Sequence, residues 1–283
     1  AVTWIAFVRR ACSIITGLMA ISKSAGEILE AVVEDGQQEL ERANAGLAFS
    51  GFAAGLNISF SALALGVVGA MTGGIGLAAY AVYPIGFLIV VLGRAQLFTE
   101  NTVTPVVVVL SRGDRLLGML RLWGVVLLFN LLGTLAFAAT VYYAEILDPS
   151  ALEILLKEVS KKAEYGFFTT MVKGVFGGWL VALIAWMVAA SRDTISQVFF
   201  VYLLAFLIPA GGLTHSVAGS TEFLLGVFAG ETSLTQYLGG FLLPTTLGNI
   251  VGGVFLVTLL NYGQVIGSRK RPMLKRNRNG NEK

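Results

Sequence analysis

The chain has 283 residues, 55% of them apolar and only 13% charged, with a mean hydropathy of +0.77. A water-soluble domain of that size has too little polar surface to cover so much apolar side chain, so the sequence reads as an all-α polytopic membrane protein. Of its twenty Lys and Arg, seven lie in 269–283 beside one acid, Glu282, so the net charge of +3 belongs to the tail, and the remainder offers no basic folded face for nucleic acid.

Residues 1–22 are apolar but split by Arg9 and Arg10, show no clear small-residue cleavage pattern and receive no role. From 27 to 42, Ile28, Leu29, Val32, Val33 and Leu40 share one helix face, which predicts a short interfacial helix within an N-terminal segment, 1–44. Six apolar regions follow in a membrane domain spanning 45–265: 46–70, 79–111, 122–145, 167–190, 194–229 and 237–262. About 20 residues cross the hydrocarbon core, so the first, third, fourth and sixth suit single spans. The second and fifth are too long, and each is interrupted, by Gly93 to Pro105 (GRAQLFTENTVTP) and by Pro209 to Gly212 (PAGG). Helix breakers at membrane depth survive only where the irregular backbone is buried in protein or lines a polar cavity, so spans two and five are expected to be broken.

Residues 266–283 form a basic tail, which the positive-inside rule places in the cytoplasm. Arg112, Arg115, Arg121 and Arg192 then fall on the same side, and both termini are expected to be cytoplasmic, in a plasma or bacterial inner membrane. The connection 146–166 faces outward, with Lys157, Lys161 and Lys162 offset by Asp148, Glu153, Glu158 and Glu164. The halves of the chain also resemble each other. Thr99–Glu100 aligns with Thr214–His215, and FNLLG at 129–133 answers GNIVG at 248–252. Three spans per half makes the repeats inverted, an arrangement that puts a transport site at the midplane between two discontinuous helices.

His215 is the only histidine and Cys12 the only cysteine, too few for a metal cluster or a disulfide. With no Walker loop, CxxC or Ser-His-acid spacing, neither an enzyme nor a cofactor is expected. An imidazole flanked by apolar runs and helix breakers instead marks a transport path. Arg94 and Glu100 are expected to pair across the first break; the alternative is that Glu100 approaches His215. Glu222 and Lys173, at apolar positions, are expected to snorkel or to pair between protomers. Gly51 with Gly55, Gly174 with Gly178, and Gly248 with Gly252 have the spacing of close helix contacts.

The LFT at 97–99, THSVA at 214–218 and the two Asn-x-x-Gly helices resemble the formate/nitrite transporter family over roughly 27–265, and the RAQLFTENT wording looks most like its YfdC-like branch. The resemblance implies a homopentamer in the lipid bilayer, each protomer an aquaporin-like bundle of six helices with its own pore. It makes His215 the central pore histidine that protonates or neutralises a small anion, Thr99 the hydroxyl that hydrogen-bonds it, Thr214 a residue whose backbone helps line the cavity, with Glu100 as an added carboxylate, and Lys162 the entrance cation that concentrates the anion. Tyr83, Phe87, Leu97 and Ile208 would form the apolar constrictions, with Asn130 and Asn249 structural. Gly219 and Gly178 stand where formate channels carry asparagines, and Thr214 replaces their acid before the histidine. The expected function is a channel for small monovalent weak-acid anions such as formate, nitrite or hydrosulfide. A pore for small neutral solutes and a non-conducting membrane scaffold are the alternatives.

Overall fold

A computed structural model describes residues 22–268, so the apolar stretch of 1–21 and the basic tail from 269 lie outside the described residues. Helix α1, Ala25–Glu41, starts with a capping box: the Ser24 hydroxyl accepts from the Glu27 N–H and the Glu27 carboxylate accepts from the Ser24 N–H. Its Leu29, Val32 and Leu40 are buried. The predicted apolar face is therefore turned onto protein, where Gly36 sits so close that a Cβ would meet the Thr104 carbonyl oxygen at 2.3 Å.

Four helical stretches are long and apolar enough to cross a membrane, Asn44–Met71, Leu116–Tyr143, Phe167–Ala190 and Gln236–Ser268. They are the regions read as single spans. The first is α2, Asn44–Ile58, continued almost without deviation by α3, Phe60–Met71. Regions two and five break as expected. The second is α4, Leu77–Val82, and α5, Pro84–Leu92, then an irregular stretch with a single 3₁₀ turn, then α6, Thr104–Arg112. The third span is α7, Leu116–Tyr143. The fourth is α9, Phe167–Ala190, and the fifth is α10, Thr194–Ala210, a break, and α11, Ser216–Ala229. Span six contains α12, Leu243–Val251, and α13, Leu260–Ser268, joined by wider π-helical turns.

The connection 146–166 is itself ordered. Pro149–Ala163 forms α8, with proline at its first turn and Ala151, Leu155 and Val159 buried at helical spacing against spans one and five. Connections alternate between two ends of the bundle. Residues 113–115 and 191–193 and both ends of the described chain share the α1 end, where Ser268 and Gln264 lie beside Ala25 and Gly26. The α8 end carries 72–76, 144–166 and 230–235.

Helix pairs approach through the glycines. A Cβ on Gly55 would meet the Asn130 carbonyl oxygen at 2.1 Å, and one on Gly252 would meet the Val175 carbonyl oxygen at 2.0 Å. Small residues at these crossings let backbones touch where apolar burial between lipid-facing helices gives little drive.

Candidate functional site

Each break is tied down by one asparagine from the following span. Asn130 Oδ1 accepts from the Phe98 N–H at 2.9 Å, and its Nδ2 donates to the Gln96 and Gly51 carbonyls at 2.9 and 2.8 Å. Asn249 Oδ1 accepts from the Ser216 N–H at 2.9 Å, and its Nδ2 donates to the Thr214 and Gly174 carbonyls at 3.2 and 2.8 Å. Both amides are fully buried, and each satisfies one N–H and one carbonyl of its break that no helix ladder serves while adding a second bond to a helical carbonyl, Gly51 or Gly174.

The matched bonds set the correspondence between the breaks. Gln96 and Phe98 answer Thr214 and Ser216, and the left-handed residues Arg94 (φ 56°) and Gly212 (φ 59°) fall two positions before each. The turn bonds Ala95 N–H to Val90 and Leu213 N–H to Ile208 keep the same offset. His215 is therefore answered by Leu97. The alignment of Thr99–Glu100 with Thr214–His215 matched polar type rather than backbone position and is three residues out of register.

His215 is the N-cap of α11, and its Nδ1 accepts from the Ala218 N–H at 3.0 Å. Its Nε2 lies 2.8 Å from Thr99 Oγ1, and Phe87 presents a ring at 5.2 Å in an edge contact. Tyr83, Phe87, Leu97 and Ile208 are all buried, at 3%, 0%, 1% and 1% exposure. The imidazole thus has the Phe87 ring against it, and the Tyr83 ring lies 5.8 Å from that of Phe87.

A cavity opens on either side. Toward α8, about 280 Å³ is lined by Tyr83, Ile208, the backbone of 209–213, Lys162 and Glu222. Toward α1, about 580 Å³ is lined by Glu39, Gln96, Glu100, Arg94 and Thr104 among others. Glu100 and Arg94 line this second cavity without forming an ion pair, so the expected pairing is absent. Nor does Glu100 bond His215, whose Nε2 is taken by Thr99 and whose Nδ1 is taken by Ala218. Glu100 lines the cavity toward α1 together with Glu39 instead.

Thr214 does not present its polar groups to either cavity. Its hydroxyl donates to the Thr170 carbonyl at 3.2 Å, and its own carbonyl is held by Asn249. Gly178 also lies outside the site, against the Asn249 backbone, where a Cβ would come within 2.3 Å of the Asn249 Cα. Beside Gly219 the Phe241 ring fills the space of a side chain, 2.4 Å from an added Cβ. Missing amides therefore leave no polar gap at these two positions, since backbone and an aromatic ring occupy them.

Lys162 donates to Glu222 Oε2 at 2.5 Å, so Glu222 pairs within its own chain rather than between protomers. Burial works to lower the Lys162 pKa, but the adjacent Glu222 carboxylate prevails and raises it above the ordinary lysine value. Lys173 donates to the Gly212 carbonyl at 2.9 Å and lies over the Tyr165 ring, which steadies the turn of the second break. The sequence singled out neither the Lys162–Glu222 partnership nor a second set of bonds at the α1 end. There Glu39 accepts from Thr104 Oγ1 at 2.6 Å and from Gln96 Nε2 at 3.2 Å, which ties α1 to the first break. Glu39 was legible only as one more acid on a helix with no base.

Burial raises the Glu39 carboxyl above the usual carboxylate range, although its two side-chain hydrogen bonds pull it down. A carboxyl whose folded pKa is raised binds its proton more tightly when folded. Its stabilising contribution is full below the unfolded value near pH 4 and is lost as pH rises through the folded value. Glu39→Gln keeps the shape and one acceptor, so its melting temperature is expected to change less than the wild type's between about pH 4 and pH 7. Parallel melting curves of the two proteins across that range check this.

The sequence at 26–263 matches the family model described as Formate/nitrite transporter. Among curated relatives, the inner membrane protein YfdC of Escherichia coli is 37% identical over 246 residues, covering 84% of this chain and 78% of that one. A probable formate transporter of Methanothermobacter thermautotrophicus is 31% identical over 237 residues, 75% of this chain and 85% of the relative. Two solved structures share the fold. One described as an FNT family ion channel has a TM-score of 0.75 at 21% identity, over 84% of this chain and 99% of that one. A pentameric formate channel with formate bound has a TM-score of 0.68 at 19% identity, over 79% and 98%. The probable formate transporter and the two channels are by name transport proteins rather than enzymes, and the identity with YfdC agrees with the resemblance to that branch. The chain belongs to the formate/nitrite transporter family.

Proposed function

We propose that this chain forms a channel for small monovalent weak acids of the formate, nitrite and hydrosulfide kind, which cross its centre in their neutral, protonated form. The observation that carries the reading is the buried His215–Thr99 contact at 2.8 Å, with the Phe87 ring against the imidazole and a cavity toward each end of the bundle. An ion entering that low-dielectric centre costs several kcal/mol even after relaxation, and a neutral acid avoids most of the cost.

The ring's hydrogen bonds define its part. A backbone N–H only donates, so Nδ1 facing Ala218 must accept, and the proton of the neutral ring sits on Nε2. Thr99 Oγ1 accepts that proton's hydrogen bond and turns its own hydroxyl hydrogen toward a solute. A second proton on Nδ1 would oppose the Ala218 N–H. The imidazole therefore acts as a fixed hydrogen-bond donor working through Thr99, and the neutralising proton arrives with the solute from bulk water. The positive end of α11 adds partial charge at the same point.

The matched asparagine straps support two inverted three-helix repeats in an aquaporin-like arrangement. Likeness to the pentameric formate channel and to an inner membrane protein supports a homopentamer in an inner membrane, and Arg112, Arg115 and Arg192 at the α1 end support a cytoplasmic position for that end. Uptake of formate, nitrite and acetate into proteoliposomes across a pH series tests the reading. Uptake should rise as external pH falls, in proportion to the acid form, and should carry no current.

A second reading is a pore for small neutral solutes. It is favoured by the charges flanking the centre, since Lys162 is already neutralised by Glu222 and carboxylates of Glu39 and Glu100 line the other cavity. Water or polyol swelling without pH-linked acid uptake would support it, and no flux of any solute would leave a membrane scaffold.

A further inference from the structure

Lys162 and Glu222 come from different elements and meet in the α8-side cavity, their side chains 19% and 2% exposed. Glu222 sits on α11, the half-helix that His215 caps. Seven residues beyond the histidine, it lies roughly two turns along the same helix face, about 10 Å further up the axis. Tyr80 from α4, Tyr83 at its C-terminal cap, Glu158 and Lys161 from α8, and Tyr165 line the same cavity. Lys173 is engaged elsewhere, on the Gly212 carbonyl. Among the described ion pairs this is the buried one; Arg115–Asp114 and Lys157–Glu153 are exposed.

An entrance lysine free to collect anions would need an open ammonium, and here a carboxylate of the same chain already holds it. We propose that Glu222 is a specificity-determining residue, a resident carboxylate that occupies Lys162 and excludes fully ionised anions while leaving the way open to weak acids. The assignment rests on the weak-acid transport proposed above. Even a flexible tether presents its group at millimolar effective concentration, and a carboxylate mounted on a packed helix in contact with its partner exceeds that. A free monovalent anion must displace Glu222 and leave that carboxylate buried without a counter-charge. A neutral acid passes an ammonium–carboxylate pair without displacing either member.

The test is a comparison of nitrate, ionised at every working pH, with formate at low pH in proteoliposomes. Glu222→Gln keeps the side chain's shape and frees the ammonium. Nitrate flux is expected to rise at least about tenfold, the low end of what an uncompensated charge in a cleft adds to local ion concentration. Formate uptake should stay within about threefold of wild type, because the neutral acid gains little from that charge. The double variant Lys162→Met/Glu222→Gln restores neutrality and should exclude nitrate again, which a merely structural role would not produce. If Glu222→Gln does not fold, Glu222→Asp, which only draws the carboxylate back, must still raise the nitrate share. An unchanged nitrate-to-formate ratio in a folded single variant overturns the assignment. Wild-type protein that carries no formate overturns the transport reading instead, and a nitrate gain in Glu222→Gln would still stand.

Discussion

Asn249→Ala is expected to leave little folded protein in detergent. The substitution strips partners from the Ser216 N–H and from the Thr214 and Gly174 carbonyls, all in the packed centre between α9, α11 and α12. The Gly174 carbonyl keeps its ladder bond within α9, but the Ser216 N–H and the Thr214 carbonyl are left unsatisfied at about 1–3 kcal/mol each, a large share of the whole stability of a typical domain, about 5–15 kcal/mol. Water cannot easily replace the amide, because Gly174 and Gly178 bring the α9 backbone directly onto Thr245, Gly248 and Asn249. Asn249→Asp keeps the acceptor for Ser216 and loses both donors, so it should fall between the two. Thr245→Val provides the control: the Thr245 hydroxyl is buried without a hydrogen-bond partner, so its removal should be neutral or stabilising. Size-exclusion profiles and thermal melts of the three variants decide the matter. A melting temperature for Asn249→Ala within a few degrees of wild type would mean that the second break holds its shape without the strap.

The strap was legible because asparagine followed by glycine one turn later, within an apolar helix, occurs once in each half of the chain. What the sequence concealed was what each strap holds. Leu97 and His215 have equivalent backbone positions but unlike chemistry, so an alignment by polar type slid past the true match. The four unbroken spans and the two breaks followed from apolar length and helix breakers, quantities that bilayer thickness fixes directly. Helix α8 escaped because its charges outnumber its buried Ala151, Leu155 and Val159, which makes an amphipathic helix look like a loop when only apolar length is counted. Glu222 and Lys162 escaped for another reason. Their pairing spans 60 residues and depends on how α8 packs over α11, which no local pattern encodes.

Thr99→Val is expected to lower weak-acid uptake by about tenfold, the factor that corresponds to about 1.4 kcal/mol lost from the rate-limiting passage. Valine matches the size of threonine and removes the hydroxyl that the proposed route puts between the His215 ring and the solute. Thr99→Ser restores it and should restore uptake. His215→Ala removes more, since the Ala218 N–H loses its acceptor and Thr99 loses the ring that orients it. Two hydrogen bonds of about 1 kcal/mol each, one of them a helix cap, place the loss between about tenfold and a hundredfold. The pH profile separates hydrogen-bond donation from proton donation. If the proton travels with the solute, Thr99→Val and His215→Ala lower uptake by a constant factor at every pH, and the profile keeps following the acid form. If the imidazole supplies the proton, His215→Ala removes the pH dependence itself. Uptake by folded His215→Ala at the wild-type rate would remove the histidine from the transport path altogether.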